Sequence, residues 1–72
     1  MTNTKLLRER IEAKGLKMAY IAEVLFITPR ALLMKIENES QFKPTEIKAL
    51  SRILEIESPE ERELYFFYDG SR

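Results

Sequence analysis

Apolar residues recur along this chain at spacings of three and four, and no stretch alternates in twos. That period belongs to helices rather than strands. It predicts five helices. The first runs from about Thr4 to Lys14, capped by Asn3 or Thr4, with Leu7 and Ile11 inward and Leu6 beside them. Gly15 ends it, because glycine accepts the left-handed backbone that a helix C-terminus favours. The second spans about Met18 to Leu25 and turns Ile21, Ala22 and Leu25 inward. Thr28-Pro29 opens the third as N-cap and first helical residue. Leu32 and Ile36 face inward, and Asn38 supplies a left-handed residue after it.

Phe42 follows in a loop and is expected to plug the core. The fourth helix runs from near Pro44 to near Glu55 and buries Ile47, Leu50 and Leu54. Ser58-Pro59-Glu60-Glu61 starts the fifth, with Ser58 as N-cap and Glu61 completing a capping box. That helix carries Leu64, Phe66 and Phe67 and fades at Asp69-Gly70, which leaves 69–72 as a frayed tail. The run Tyr65-Phe66-Phe67-Tyr68 reads mostly as core closure, with a dimer contact as the lesser alternative. The expected fold is all-α, a compact five-helix bundle forming a single domain over 1–72.

Composition narrows the chemistry. The 72 residues include no cysteine and no histidine. That removes thiolate metal sites, the commonest general base and the commonest metal ligand. There is no glycine-rich phosphate loop, and the carboxylates fall mainly on helical surfaces near Lys or Arg. Neither an enzyme, a metal, a cofactor nor a small-molecule substrate is expected. No apolar run reaches the roughly 18 residues of a membrane span, and no signal-peptide core is present. A soluble, cytoplasmic protein is the expectation.

Charge bears on partners. Twelve basic and twelve acidic residues give a formal net charge of zero. A free-standing DNA binder usually carries a basic surplus. The head is mildly basic, with Lys5, Arg8, Arg10 and Lys14 against Glu9 and Glu12. The tail is mildly acidic. The basic first helix reads as a solvated face, with phosphate contact as the lesser alternative.

The segment from about 17 to 38 has the spacing of a helix-turn-helix: two short helices and a tight turn. Leu16, Ile21-Ala22-Glu23, Leu25, Ile27-Thr28, Leu32, Lys35-Ile36 and Ser40 to Ile47 carry a resemblance to the Cro/repressor-type helix-turn-helix proteins of temperate phages. Ala22 lets the two helices approach, Ile27 fills the angle between them, and Leu32 and Ile36 anchor the second. Among that family the chain looks closest to the small modulators of repression, or antirepressors, that some lactococcal phages encode beside the lysogeny repressor. The resemblance implies a bacterial host cytoplasm and a protein partner, that repressor.

This chain departs from the family where the family reads DNA. Lys17 and Met18 stand where a Thr and a Gln are usual, and Phe26 replaces a turn glycine. The second helix offers Pro29, Leu33 and Met34 at positions that are normally polar. With about 100° per residue, Arg30, Met34 and Glu37 point away from the buried side and Leu33 lies on the flank. Reading base edges needs Arg, Lys, Asn or Gln, and only Arg30 and Lys35 qualify. Exposed Met, Leu and aromatic groups more often mark a protein partner.

Two functions are therefore expected. In the first, a phage-switch regulator binds the lysogeny repressor through Met18, Ala19, Pro29, Arg30, Leu33, Met34 and Glu37 and modulates or blocks its DNA binding. In the second, a Cro-like repressor binds operator DNA directly, with Lys17, Thr28, Arg30 and Lys35 as contacts, alone or together with the repressor. Leu33 and Met34 have core packing as their structural alternative. Tyr20 and Phe26 read first as packing on the first or fourth helix, with the partner surface as the lesser alternative.

Overall fold

The computed structural model describes residues 1–67. Five helices follow one another: α1 (Thr4–Lys14), α2 (Met18–Val24), α3 (Pro29–Ile36), α4 (Pro44–Ile53) and α5 (Pro59–Phe66). Among the described residues there is no strand. The expected helix starts all hold; α1 ends at Lys14 as expected, and α2 and α4 end one and two residues early. The expected fading at Asp69-Gly70, the tail 69–72 and Tyr68 lie outside the described residues.

Local chemistry explains the starts. A helix leaves its first N–H groups without partners, and a side-chain oxygen just before it can satisfy one. Asn3 Oδ1 accepts from Leu6 N at 3.2 Å, Thr28 Oγ1 from Ala31 N at 3.0 Å, and Ser58 Oγ from Glu61 N at 3.0 Å. Pro29, Pro44 and Pro59 each follow the cap, where a missing N–H is harmless. The reciprocal carboxylate bond expected from Glu61 appears at α4 instead. There Glu46 Oε1 accepts from Lys43 N at 2.8 Å.

The ends share one device. After each of α1 to α4 comes a residue with left-handed φ: Gly15 (69°), Phe26 (60°), Asn38 (66°) and Glu55 (59°). The next N–H then reaches back five residues, from Leu16 to Ile11, Ile27 to Ala22, Glu39 to Met34 and Ile56 to Ser51. This is the Schellman arrangement, and its apolar follower residue tends to pack on the helix it closes. Ile56 is fully buried, and Leu16 and Ile27 pack against the core. Gly15 and Asn38 were legible as such ends; Phe26 and Glu55 were not.

The core joins all five helices. Leu7 and Ile11 of α1, Ile21, Ala22 and Leu25 of α2 and its end, and Leu32 and Ile36 of α3 are buried with Ile47, Leu50 and Leu54. Tyr65 and Phe66 close it from α5. Phe42 plugs the α3–α4 loop as expected and meets the Phe66 ring edge-on at 5.6 Å. Leu64 and Phe67 are exposed, so only part of the aromatic run closes the core. Helix α2 packs on α3 and α4, while α1 packs on α3 and α5.

Three of the four basic residues of α1 act as staples, while Lys5 stays on the solvated face. Arg8 pairs with Glu37. Arg10 donates to the Leu54 and Glu55 carbonyls at 2.9 and 3.1 Å, at the C-terminal end of α4 where a cation is favoured. Lys14 reaches Glu55 at 2.7 Å. Among the described residues, no helix is long and apolar enough to cross a membrane.

Candidate functional site

Helices α2 and α3 are held together at their inner faces. Ala22 is buried to 1% exposure, which allows close approach, and Ile27 fills the turn between them. Leu32 and Ile36 are fully buried and fix which side of α3 faces the core. The outward side of this pair is where the proposed contacts lie.

Most of the expected partner residues are accessible. Ala19, Pro29 and Arg30 are exposed, and Leu33 is 44% exposed. Met34 is half-buried. Met18 is half-buried too, because it packs against the core, so it offers only an edge. Glu37 is exposed, but its carboxylate is engaged by Arg8 across the α1–α3 contact. The surface therefore keeps Arg30 as a free base and loses Glu37 as a free acid.

The DNA contacts fare differently. Lys17 is exposed. Thr28 is exposed, with its hydroxyl already accepting the Ala31 N–H as helix cap. Lys35 does not take the place expected of it. It is only 9% exposed, and its ammonium sits 2.7 Å from Glu46 Oε1 and 3.3 Å from the Gln41 carbonyl. Both partners lie beyond α3, so the lysine stem turns back under the α3–α4 loop. A base held that way has no reach to a phosphate or a base edge. Burial alone would raise the Glu46 carboxyl. Hydrogen bonds from Lys35 and the Lys43 N–H, with the positive charges of both lysines, hold it below its usual range instead.

Two aromatic groups join the surface, where packing on α1 or α4 was the first expectation for both. Tyr20 is 47% exposed and Phe26 is 94% exposed. Phe26 sits at the left-handed position that closes α2. Its side chain consequently leaves the turn on the solvent side instead of packing on α1 or α4. A left-handed conformation costs a non-glycine residue roughly 1–2 kcal/mol, and full exposure returns none of it as burial. The replaced turn glycine was the one available signal, since glycine marks where φ is positive.

The unit thus presents Tyr20, Phe26 and Leu33 as large apolar groups. Lys17 and Arg30 are its outward bases, and Glu23 and Glu39 its outward acids. Beside Phe26 lies a shallow hollow of about 170 Å³ between α2 and α4, lined by Val24, Leu25, Thr45, Glu46 and Ala49. Comparison with family models, with curated proteins and with solved structures finds no match to this chain.

Proposed function

We propose that α2 and α3 form a helix-turn-helix that binds protein rather than DNA. On this reading the chain is a non-enzymatic regulator of a phage genetic switch. It binds the lysogeny repressor and modulates or blocks the repressor's grip on its operators. One observation carries the reading. The unit exposes Tyr20, Phe26 and Leu33 while Lys35, the second base able to read DNA, is drawn inside by Glu46.

Interfaces concentrate their energy in a few aromatic, Met and Arg groups and are depleted of charge at the centre. Arg30 is suited to a carboxylate of the repressor, Leu33 and Met34 to apolar contact, and Met18, Ala19 and Pro29 to the rim. DNA binding would ask the opposite of the same surface. Phosphate contacts supply most of a DNA binder's affinity, and the unit presents as many outward acids as outward bases. The family resemblance supplies the partner's identity, and a bacterial host cytoplasm follows from it.

The test mixes the purified chain with the lysogeny repressor of its own phage, and separately with switch-region duplex. Light scattering reads the mass and a gel shift reads DNA. A protein–protein complex, lost in the double variant Arg30→Glu with Leu33→Asp at unchanged helicity, is the expected result. A salt-sensitive shift of duplex by this chain alone, without repressor binding, would make it a Cro-like operator binder.

A further inference from the structure

Phe26 is the residue whose placement folding explains least. Four helix ends use a left-handed residue, and the other three carry Gly, Asn and Glu. Asn38 uses its amide on Thr2 and Glu55 its carboxylate on Lys14. The Phe26 ring is 94% exposed and so contributes almost no burial, at a position where a bulky residue is strained. Strain of this kind gathers at ligand clamps and binding sites.

The surroundings indicate what would receive the ring. The hollow beside it offers Val24, Leu25, Ala49 and the Thr45 side chain. Its one ionisable residue, Glu46, is neutralised from within by Lys35 at 2.7 Å. The matching surface is therefore neutral and apolar. A polyanion would meet no cation in this hollow.

We propose that Phe26 is the anchor of the partner interface. Its ring inserts into a neutral apolar cleft on the DNA-binding domain of the repressor, and a ridge of that domain fills the α2–α4 hollow. The inference rests on the function proposed above. It extends that surface from the outward side of α3 to the turn and the start of α4. The left-handed φ holds the ring clear of its own domain before binding, so little order has to be gained on docking.

The experiment compares wild type, Phe26→Gly and Phe26→Tyr in two measurements: the melting temperature alone, and affinity for the repressor by titration calorimetry. The expected result for Phe26→Gly is a melting temperature raised by roughly 4 °C or more, with binding weakened by about 30-fold or more. Phe26→Tyr keeps binding within a few-fold. Equal binding by Phe26→Gly overturns the anchor and leaves the proposed function standing. A lowered melting temperature in Phe26→Gly overturns it too, because the ring would then be serving the fold. No repressor binding by wild type, or ring-dependent binding to duplex or to a second copy instead, removes the anchor and the proposed function together.

Discussion

Lys35 Nζ lies 2.7 Å from Glu46 Oε1, and the same oxygen accepts the Lys43 N–H at 2.8 Å. One carboxylate therefore ties α3 to α4 and caps α4. Both side chains are almost wholly buried, at 11% and 8% exposure. Removing one member of a buried pair leaves an uncompensated charge, and that costs about 3 kcal/mol or more. Lys35→Met should accordingly lose about 3 kcal/mol in urea unfolding. Adding Glu46→Leu should recover stability to within about 1 kcal/mol of wild type, the remainder being the lost cap. Equal losses in the single and the double variant would show that the pair is not what holds the two helices.

Acid should reveal the same carboxylate. The Glu46 carboxyl lies below its usual range in the folded chain. A depressed group contributes stability above its unfolded value, roughly 4.3, and loses it as pH falls through the folded value. Glu55 is also lowered, by the hydrogen bond and charge of Lys14 and then by Arg10. Melting temperature should thus decline below about pH 5. The decline should be shallower in Glu46→Gln, which starts from lower stability at neutral pH. Added salt should erase the share of exposed Glu55 and leave that of Glu46. An acid limb identical in Glu46→Gln and wild type would contradict this.

Ser51 offers a gain. It is 2% exposed in the last turn of α4, and its hydroxyl makes no hydrogen bond. A buried unpaired hydroxyl is unfavourable by about 1–3 kcal/mol, and alanine is the better helix former. Ser51→Ala should raise stability by about 1 kcal/mol, seen as a higher urea midpoint at unchanged slope. A drop on substitution would mean that the hydroxyl has a partner in solution.

Asn38 has two separable roles. Its left-handed φ closes α3, and its amide clamps the backbone of Thr2, accepting from N at 2.8 Å and donating to O at 2.9 Å. Asn38→Gly keeps the first role and loses the second, for about 1–2 kcal/mol. Asn38→Ala loses both and should cost more. Hydrogen exchange should then show faster opening at the Thr2 and Asn3 amides in both variants. Protection there as strong as in wild type would place the anchor of the N-terminal segment elsewhere, for instance in the bond from Asn3 N to the Tyr65 carbonyl.

Much of the fold was readable one segment at a time. Asn3, Thr28 and Ser58 cap the helices they precede, and Gly15 and Asn38 end the helices they follow. These are interactions over three to five residues, so the chain states them locally. The inward stripe of α1 to α4 follows for the same reason, since one helical period sets it. The candidate surface was legible in part, through Arg30 and Leu33.

What failed were readings that needed two distant segments, although Phe42 did find the core as expected. In α5 three aromatics and a leucine stand in a row, and periodicity alone does not say which side meets the core. Packing against α1 and Phe42 chose Tyr65 and Phe66 and left Leu64 and Phe67 outside. Ile56 is buried because the Schellman closure of α4 swings it inward. The bases of α1 found their carboxylates and carbonyls 29 to 45 residues away.

The sequence by itself determined five helices, their starts, the ends at Gly15 and Asn38 and most residues of their shared core, because caps and helical period act within a few residues. Tertiary structure decided which of the remaining side chains face outward. It withdrew Lys35 to Glu46, eleven positions along the chain, and it left Phe26 in the open by closing α2 through a left-handed residue. Charge pairing and exposure depend on which segments meet in space, and no local pattern records that.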